Sequence, residues 1–202
     1  MSKYLYLLDA GHGGLIDGKY QTSGKRSPKF DDGSVLYEGV NNRDNVARLI
    51  KELRQREINC LDIINTNEDI SLSERVKRAN KLNKEQKCIY LSMHSNASGN
   101  GKDWGKATGN GVYIYPTCSK TTRKLATYLS YEISEQFVEL TNHRGIRERN
   151  FYVLRKTNCP AILFEMGFHD HKEESKLMLT EKWKKTLVSA ICDAIVEFEN
   201  NI

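Results

Sequence analysis

Along the chain, short apolar runs alternate with longer stretches that repeat at helical spacing. The first run, Tyr4-Leu-Tyr-Leu-Leu, ends on Asp9 and passes into Gly11-His12-Gly13-Gly14. This predicts a buried strand that delivers a histidine into a tight loop. Val46, Leu49, Ile50 and Leu53 share one helical face and predict a helix over 42–56, capped by Asn41 or Asn42, with Glu38 at or just before its first turn. Residues 59–64 read as a short strand. Ser71-Leu-Ser-Glu74 is a capping box opening a helix that carries Leu72, Val76, Ala79 and Leu82. The run from Cys88 to His94 predicts a second buried strand, followed by a glycine-rich loop to Gly111 and a strand over 112–115 that Pro116 stops. Leu125, Leu129, Ile133 and Phe137 step by fours through a helix, and 151–154 reads as a short strand. Ala161-Ile-Leu-Phe-Glu165 is the most hydrophobic run and ends on an acid; a last helix from Glu181 buries Trp183, Leu187, Ile191, Ile195 and Phe198.

Continuous apolar strands alternating with helices indicate the α/β class: a mainly parallel, twisted sheet flanked by helices on both faces, expected as a single catalytic domain over 1–202. No repeat or interdomain linker interrupts the pattern. Loops at the C-terminal ends of such strands would gather His12, His94 and Glu165 on one edge. Residues 15–37, rich in Gly, Ser, Asp and Lys, read as a long loop leading to Glu38.

Composition narrows the class without deciding it. With 202 residues, 39% hydrophobic and 28% charged, the chain is an ordinary globular one. No run approaches the roughly 20 apolar residues of a membrane span. A secretory signal and its cleavage site are not expected either, so synthesis in the cytoplasm is. Five cysteines, scattered singly, favour reduced thiols over a disulfide framework. A formal charge of +5 suits an anionic partner such as nucleic acid, acidic lipid or wall polymer. The cations are spread out and no nucleic-acid module is present, so nucleic acid is not the expected partner.

Two histidines and a carboxylate form the donor set of a catalytic zinc site that keeps one position for water. His12, Glu38 and His94 supply it, for one Zn²⁺. Each has a plainer reading: a lone histidine is commonly structural, and an acid near a helix start is favoured by the helix dipole. Glu165 is more telling. A carboxylate closing an apolar run risks burial, which demands a partner or a chemical task. His169-Asp-His171 competes for the metal, but the polar segment 167–174 also reads as an exposed turn; His143 could touch substrate. The glycines around His12 lack the full dinucleotide spacing and the P-loop lysine, so a phosphate cradle is weakly supported.

Taken in order, Leu8-Asp-Ala-Gly-His12-Gly-Gly, Glu38 with Asn42, Leu72-x-x-Arg75-x-x-x-Ala79-Asn80, Ser92-x-His94-x-Asn96-Ala97, Gly111-Val112, Val153-Leu154-Arg155 and Pro160-Ala161-Ile-Leu-x-Glu165-x-Gly167-Phe168 cover nearly the whole chain. This set resembles the zinc-dependent N-acetylmuramoyl-L-alanine amidases of the amidase-3 family. The resemblance implies zinc at His12, Glu38 and His94, a catalytic acid at Glu165, and peptidoglycan as partner. The bond cut would be the amide between the lactyl group of N-acetylmuramic acid and L-alanine. Asn96 and Arg155 are expected on the substrate side, although Asn96 could cap a turn and Arg155 could be a surface charge. A small monomer without a wall-binding module resembles an endolysin, released to act on the wall, or a mother-cell lysis enzyme. The alternatives are a non-catalytic peptidoglycan-binding domain and a zinc carboxypeptidase or aminopeptidase acting on free peptides. The length of 15–37 and the His169-Asp-His171 turn depart from the family pattern.

Overall fold

The computed structural model describes residues 2–202. A six-stranded sheet is built from β1 (Leu5–Ala10), β4 (Cys60–Asp62), β5 (Cys88–Asn96), β6 (Asn110–Ile114), β7 (His143–Glu148) and β8 (Ala161–Phe168), in the order β4-β1-β5-β8-β6-β7. Every neighbouring pair is parallel except β6 with β8, which is antiparallel. The expected α/β architecture with a mainly parallel sheet is therefore what the chain adopts.

The period-two alternation of strands sorts their side chains onto two faces. Tyr6, Leu8, Ile89, Leu91, Met93, Ile162 and Phe164 point into the larger core, beneath the long helices α1 (Glu38–Gln55), α3 (Lys120–Gln136) and α6 (Glu181–Asn200). Leu7, Tyr90, Tyr113 and Leu163 point to the other face, where α2 (Leu72–Glu85) and the single-turn α4 (Tyr152–Lys156) form a smaller core. Continuing the alternation along each strand puts Asp9, Ser92, His94 and Glu165 on this second, thinner side.

Several local expectations change. The helix predicted over 42–56 begins four residues earlier: Tyr37 is the N-cap without a side-chain bond, and Asn41 and Asn42 lie buried inside the helix rather than capping it. The strand predicted over 151–154 is helix α4, whose Val153 and Leu154 pack on the sheet. Within the long early loop, Leu15–Ile16 (β2) and Lys19–Tyr20 (β3) form a small antiparallel ribbon. Its two-residue turn, Asp17-Gly18, has φ of 49° and 75°, the left-handed values such turns demand. The segment 167–174 is not an exposed turn: His169, Asp170 and Glu174 are buried, and Lys172–Met178 forms helix α5.

Candidate active site

His12 follows β1 in the left-handed region, at φ 64°. A non-glycine residue there costs of order 1 kcal/mol or more and persists only when its surroundings impose it. Here two arginines grip its carbonyl oxygen, Arg43 from α1 at 2.8 Å and Arg75 from α2 at 3.2 Å. Gly11 explains the glycine just before it: a Cβ there would lie 2.2 Å from Cε1 of His94, so only glycine lets that ring lie against β1. The two imidazoles then meet edge-on, with ring centroids 5.0 Å apart.

Glu38, the first residue of α1, is 1% exposed. Gly39 follows it because the helix start touches the His12 loop; a Cβ at Gly39 would lie 1.9 Å from the carbonyl oxygen of Gly13. Glu38 Oε1 accepts from the Ser95 N–H at 3.0 Å and faces His94 Nδ1 at 3.1 Å. Its Oε2 has no aligned hydrogen-bond donor and stands 3.3 Å from His12 Nε2. Burial alone would raise this carboxyl, but the two imidazoles outweigh it and hold the group well below its ordinary range. Burial pulls the His94 ring down, and the Glu38 carboxylate more than reverses this.

One donor atom from each of His12, Glu38 and His94 can be chosen so that all lie within 4.8 Å of one another. Ligands about 2.1 Å from a tetrahedral ion stand roughly 3.4 Å apart, which the present contacts approach. A buried carboxylate oxygen without a donor, flanked by two imidazoles, is also the chemistry a divalent cation satisfies. The residues fit the metal.

Glu165 sits beside His94 in the ladder between β5 and β8, with Gly111 of β6 opposite on its other side. Register partners on adjacent strands project to the same face, so the carboxyl and imidazole emerge together. Glu165 Oε2 is buried without a partner. Burial pushes this carboxyl up to about 7; His94 opposes the rise and Glu38 adds to it. A carboxyl that exchanges its proton near neutrality is suited to general acid and base work.

The other candidates separate. Asn96 ends β5 two residues beyond His94, and its Oδ1 accepts from Ala97 N–H at 2.8 Å, a turn-capping role. Arg155 is not brought to the cluster. It is exposed on α4, bonded to Asn150, and lines a cavity of about 420 Å³ with Pro160 and Ala161 at the opposite end of β8 from Glu165. His143 uses both ring nitrogens, on Asn110 Oδ1 at 2.6 Å and Ser130 Oγ at 2.7 Å. His171 caps α5, whereas His169 is buried with its Nδ1 3.8 Å from Glu38 Oε2.

Sequence reading missed the support under the His12 turn. Asp9 and Arg75 form a fully buried ion pair, and Arg75 also donates to the Ala10 carbonyl at 2.7 Å. Asp9 Oδ2 accepts from Tyr90 at 2.5 Å and Ser92 at 2.6 Å. Asp9, like Glu165, is an acid closing an apolar strand, which was the available signal. Burial would raise its pKa, but Arg75, Ser92 and Tyr90 together hold it below the ordinary value. Arg75→Met leaves that charge buried without its partner and is expected to cost about 3–5 kcal/mol in urea unfolding. The sign with pH follows from linkage. A carboxyl depressed in the folded state stabilises above its unfolded pKa, and this is lost as pH falls through the folded value. Without Arg75, burial raises the Asp9 carboxyl instead, so the cost of Arg75→Met should be largest near neutral pH and shrink as acid protonates Asp9; a cost that does not change with pH would remove the pair from the stability account.

A family model described as N-acetylmuramoyl-L-alanine amidase matches residues 7–197. The chain belongs to the amidase-3 family. Among curated relatives, an uncharacterised cell wall amidase of Bacillus anthracis is 26% identical over 95% of this chain and 35% of its own length. The endolysin of Bacillus phage SPP1 is 24% identical over 99% of this chain and 67% of its own. The chain thus spans about a third of the first relative and two-thirds of the second. Among solved structures, the N-acetylmuramoyl-L-alanine amidase of Clostridium difficile 630 superposes with a TM-score of 0.81 at 27% identity, covering 99% of this chain and 98% of that one. AmiC2 of Nostoc punctiforme gives 0.77 at 26% identity, covering 97% of each.

Proposed function

We propose that the chain is a zinc-dependent hydrolase of the amide between N-acetylmuramic acid and L-alanine in peptidoglycan. The observation that carries this is the convergence of three metal-binding side chains with a proton-exchanging carboxyl beside them in the ladder, in a chain of this family. His12, Glu38 and His94 would hold the ion. When bound, zinc supplies a Lewis acid that polarises a carbonyl and makes water a competent nucleophile near neutral pH. Glu165 accepts the proton of the attacking water and returns it to the departing amine of L-alanine. Ser95 N–H and the adjacent rings keep Glu38 ionised, as a ligand must be. Arg43 and Arg75 fix the His12 turn before substrate arrives.

Relatives named as an endolysin and as cell wall amidases support the wall as the place of action. Among the described residues no helix is long and apolar enough to cross a membrane. Mass analysis of digested muropeptides tests the reaction. An amidase releases intact stem peptides bearing a free L-alanine amine, and glycan strands that keep their lactyl carboxylates. Shortened stem peptides would mean a carboxypeptidase or aminopeptidase instead. Sacculus binding without any release would mean a wall-binding domain.

A further inference from the structure

His169 is not on the surface. The ring is 2% exposed. A register shift in the ladder between β5 and β8 falls between His94 and Asn96, so Ser95 stands at an irregularity and turns its N–H to Glu38 Oε1. The ladder then resumes with His169 N–H donating to the Asn96 carbonyl at 2.9 Å. This places the His169 ring behind Glu38.

Three oxygens surround its Nδ1: Ser95 Oγ at 3.0 Å, the Ser95 carbonyl at 3.1 Å and Glu38 Oε2 at 3.8 Å. The Ser95 carbonyl only accepts hydrogen bonds and Glu38 Oε2 is a further negative oxygen beyond hydrogen-bond reach, so a lone pair at Nδ1 would face both, whereas an N–H satisfies the carbonyl. The surroundings therefore assign the proton to Nδ1.

The segment that bears it is fixed from both sides. Asp170 Oδ2 accepts from the backbone N–H groups of Ser98 and Gly99, each at 2.7 Å. Glu174 accepts from Phe168 N–H at 2.6 Å and from Gly109 N–H at 2.9 Å. His169 is thus flanked by residues tied to Ser98, Gly99, Gly109 and Phe168.

We propose that His169, whose Nδ1–H holds Ser95 while the Ser95 N–H holds Glu38 Oε1, is a positioning residue that keeps the Glu38 carboxylate in its metal-binding pose. Groups that orient a ligand from behind commonly change metal affinity by about 10- to 100-fold when removed. The inference rests on the zinc site proposed above and deepens it.

Asparagine and glutamine variants provide the test, because an Asn side-chain amide N–H reaches about where Nδ1 stands and a Gln amide reaches about where Nε2 stands. Zinc affinity would be measured by chelator competition, and the visible spectrum of cobalt-loaded protein would report ligand geometry. His169→Ala and His169→Gln should bind zinc about 10- to 100-fold more weakly with a shifted cobalt spectrum. His169→Asn should return both toward wild type, with metal-free unfolding midpoints of Asn and Gln variants alike. Equal zinc affinities and cobalt spectra for the Asn and Gln variants would overturn the donor role, even where the Ala variant does not fold. A wild-type protein that takes up no zinc would instead overturn the metal reading on which the inference rests.

Discussion

Glu165→Ala keeps a full complement of zinc and loses hydrolysis of purified sacculi by about 10²- to 10⁴-fold, the range that a single positioned acid or base contributes. The two halves of this expectation have separate causes. Zinc stays because the donor atoms that converge belong to His12, Glu38 and His94, and Glu165 is not among them. Hydrolysis goes because Glu165 is the carboxyl that stands beside His94, buried and without any hydrogen-bond partner at Oε2. An alanine there also relieves a buried polar group, so the variant should be no less stable than wild type, and a thermal melt separates lost chemistry from lost folding. Elemental analysis and dye release from labelled sacculi on one preparation decide the matter. Unchanged turnover at full zinc content would take Glu165 out of the mechanism.

What the chain made legible follows from how its signals are encoded. Strands β1, β5 and β8 carry largely apolar runs because both faces are covered, and the residue that ends each run is forced to the sheet edge. His12, His94 and Glu165 could therefore be assigned to one edge before any coordinates. Period-two alternation then puts Asp9, Ser92, His94 and Glu165 on a single face, as the cores on either side of the sheet require. The four apolar residues at 151–154 carried no such information, since so short a run fits a helix as well as a strand. Strand β7 escaped because it is an edge strand with one aliphatic residue, Ile146, among charged ones. His169, Asp170 and Glu174 looked solvated because their partners, at Ser95, Ser98, Gly99 and Gly109, lie 65 to 74 positions away in the chain. Local polarity does not report partners brought in by tertiary folding. Arg155 shows the converse: its neighbours in sequence fit a motif, but α4 places it beside Pro160 and Ala161, at the end of β8 away from Glu165.

His94→Ala is expected to lose its metal more completely than any variant of the residues behind the ligands, so by more than about 10- to 100-fold in affinity. One of three donors is gone, and Glu38 Oε1 keeps only the Ser95 N–H of its two contacts. The fold should survive, because the neighbours of His94 on the core side, Leu91 and Met93, are untouched and the ladder to β8 depends on backbone groups. Linkage turns this into a measurement that does not need substrate. A ligand that binds only the folded state adds RT ln(1 + [L]/Kd), about 2.7 kcal/mol at a hundredfold excess over Kd. Chelator should therefore lower the unfolding midpoint of the wild type toward that of His94→Ala, while leaving the variant's own midpoint where it was. A variant that holds stoichiometric zinc, melts lower in chelator as the wild type does and still cleaves sacculi would show that His94 is not a ligand. In that case His12 and Glu38 would need a different third donor, and His169, with Nδ1 3.8 Å from Glu38 Oε2, is the histidine within reach.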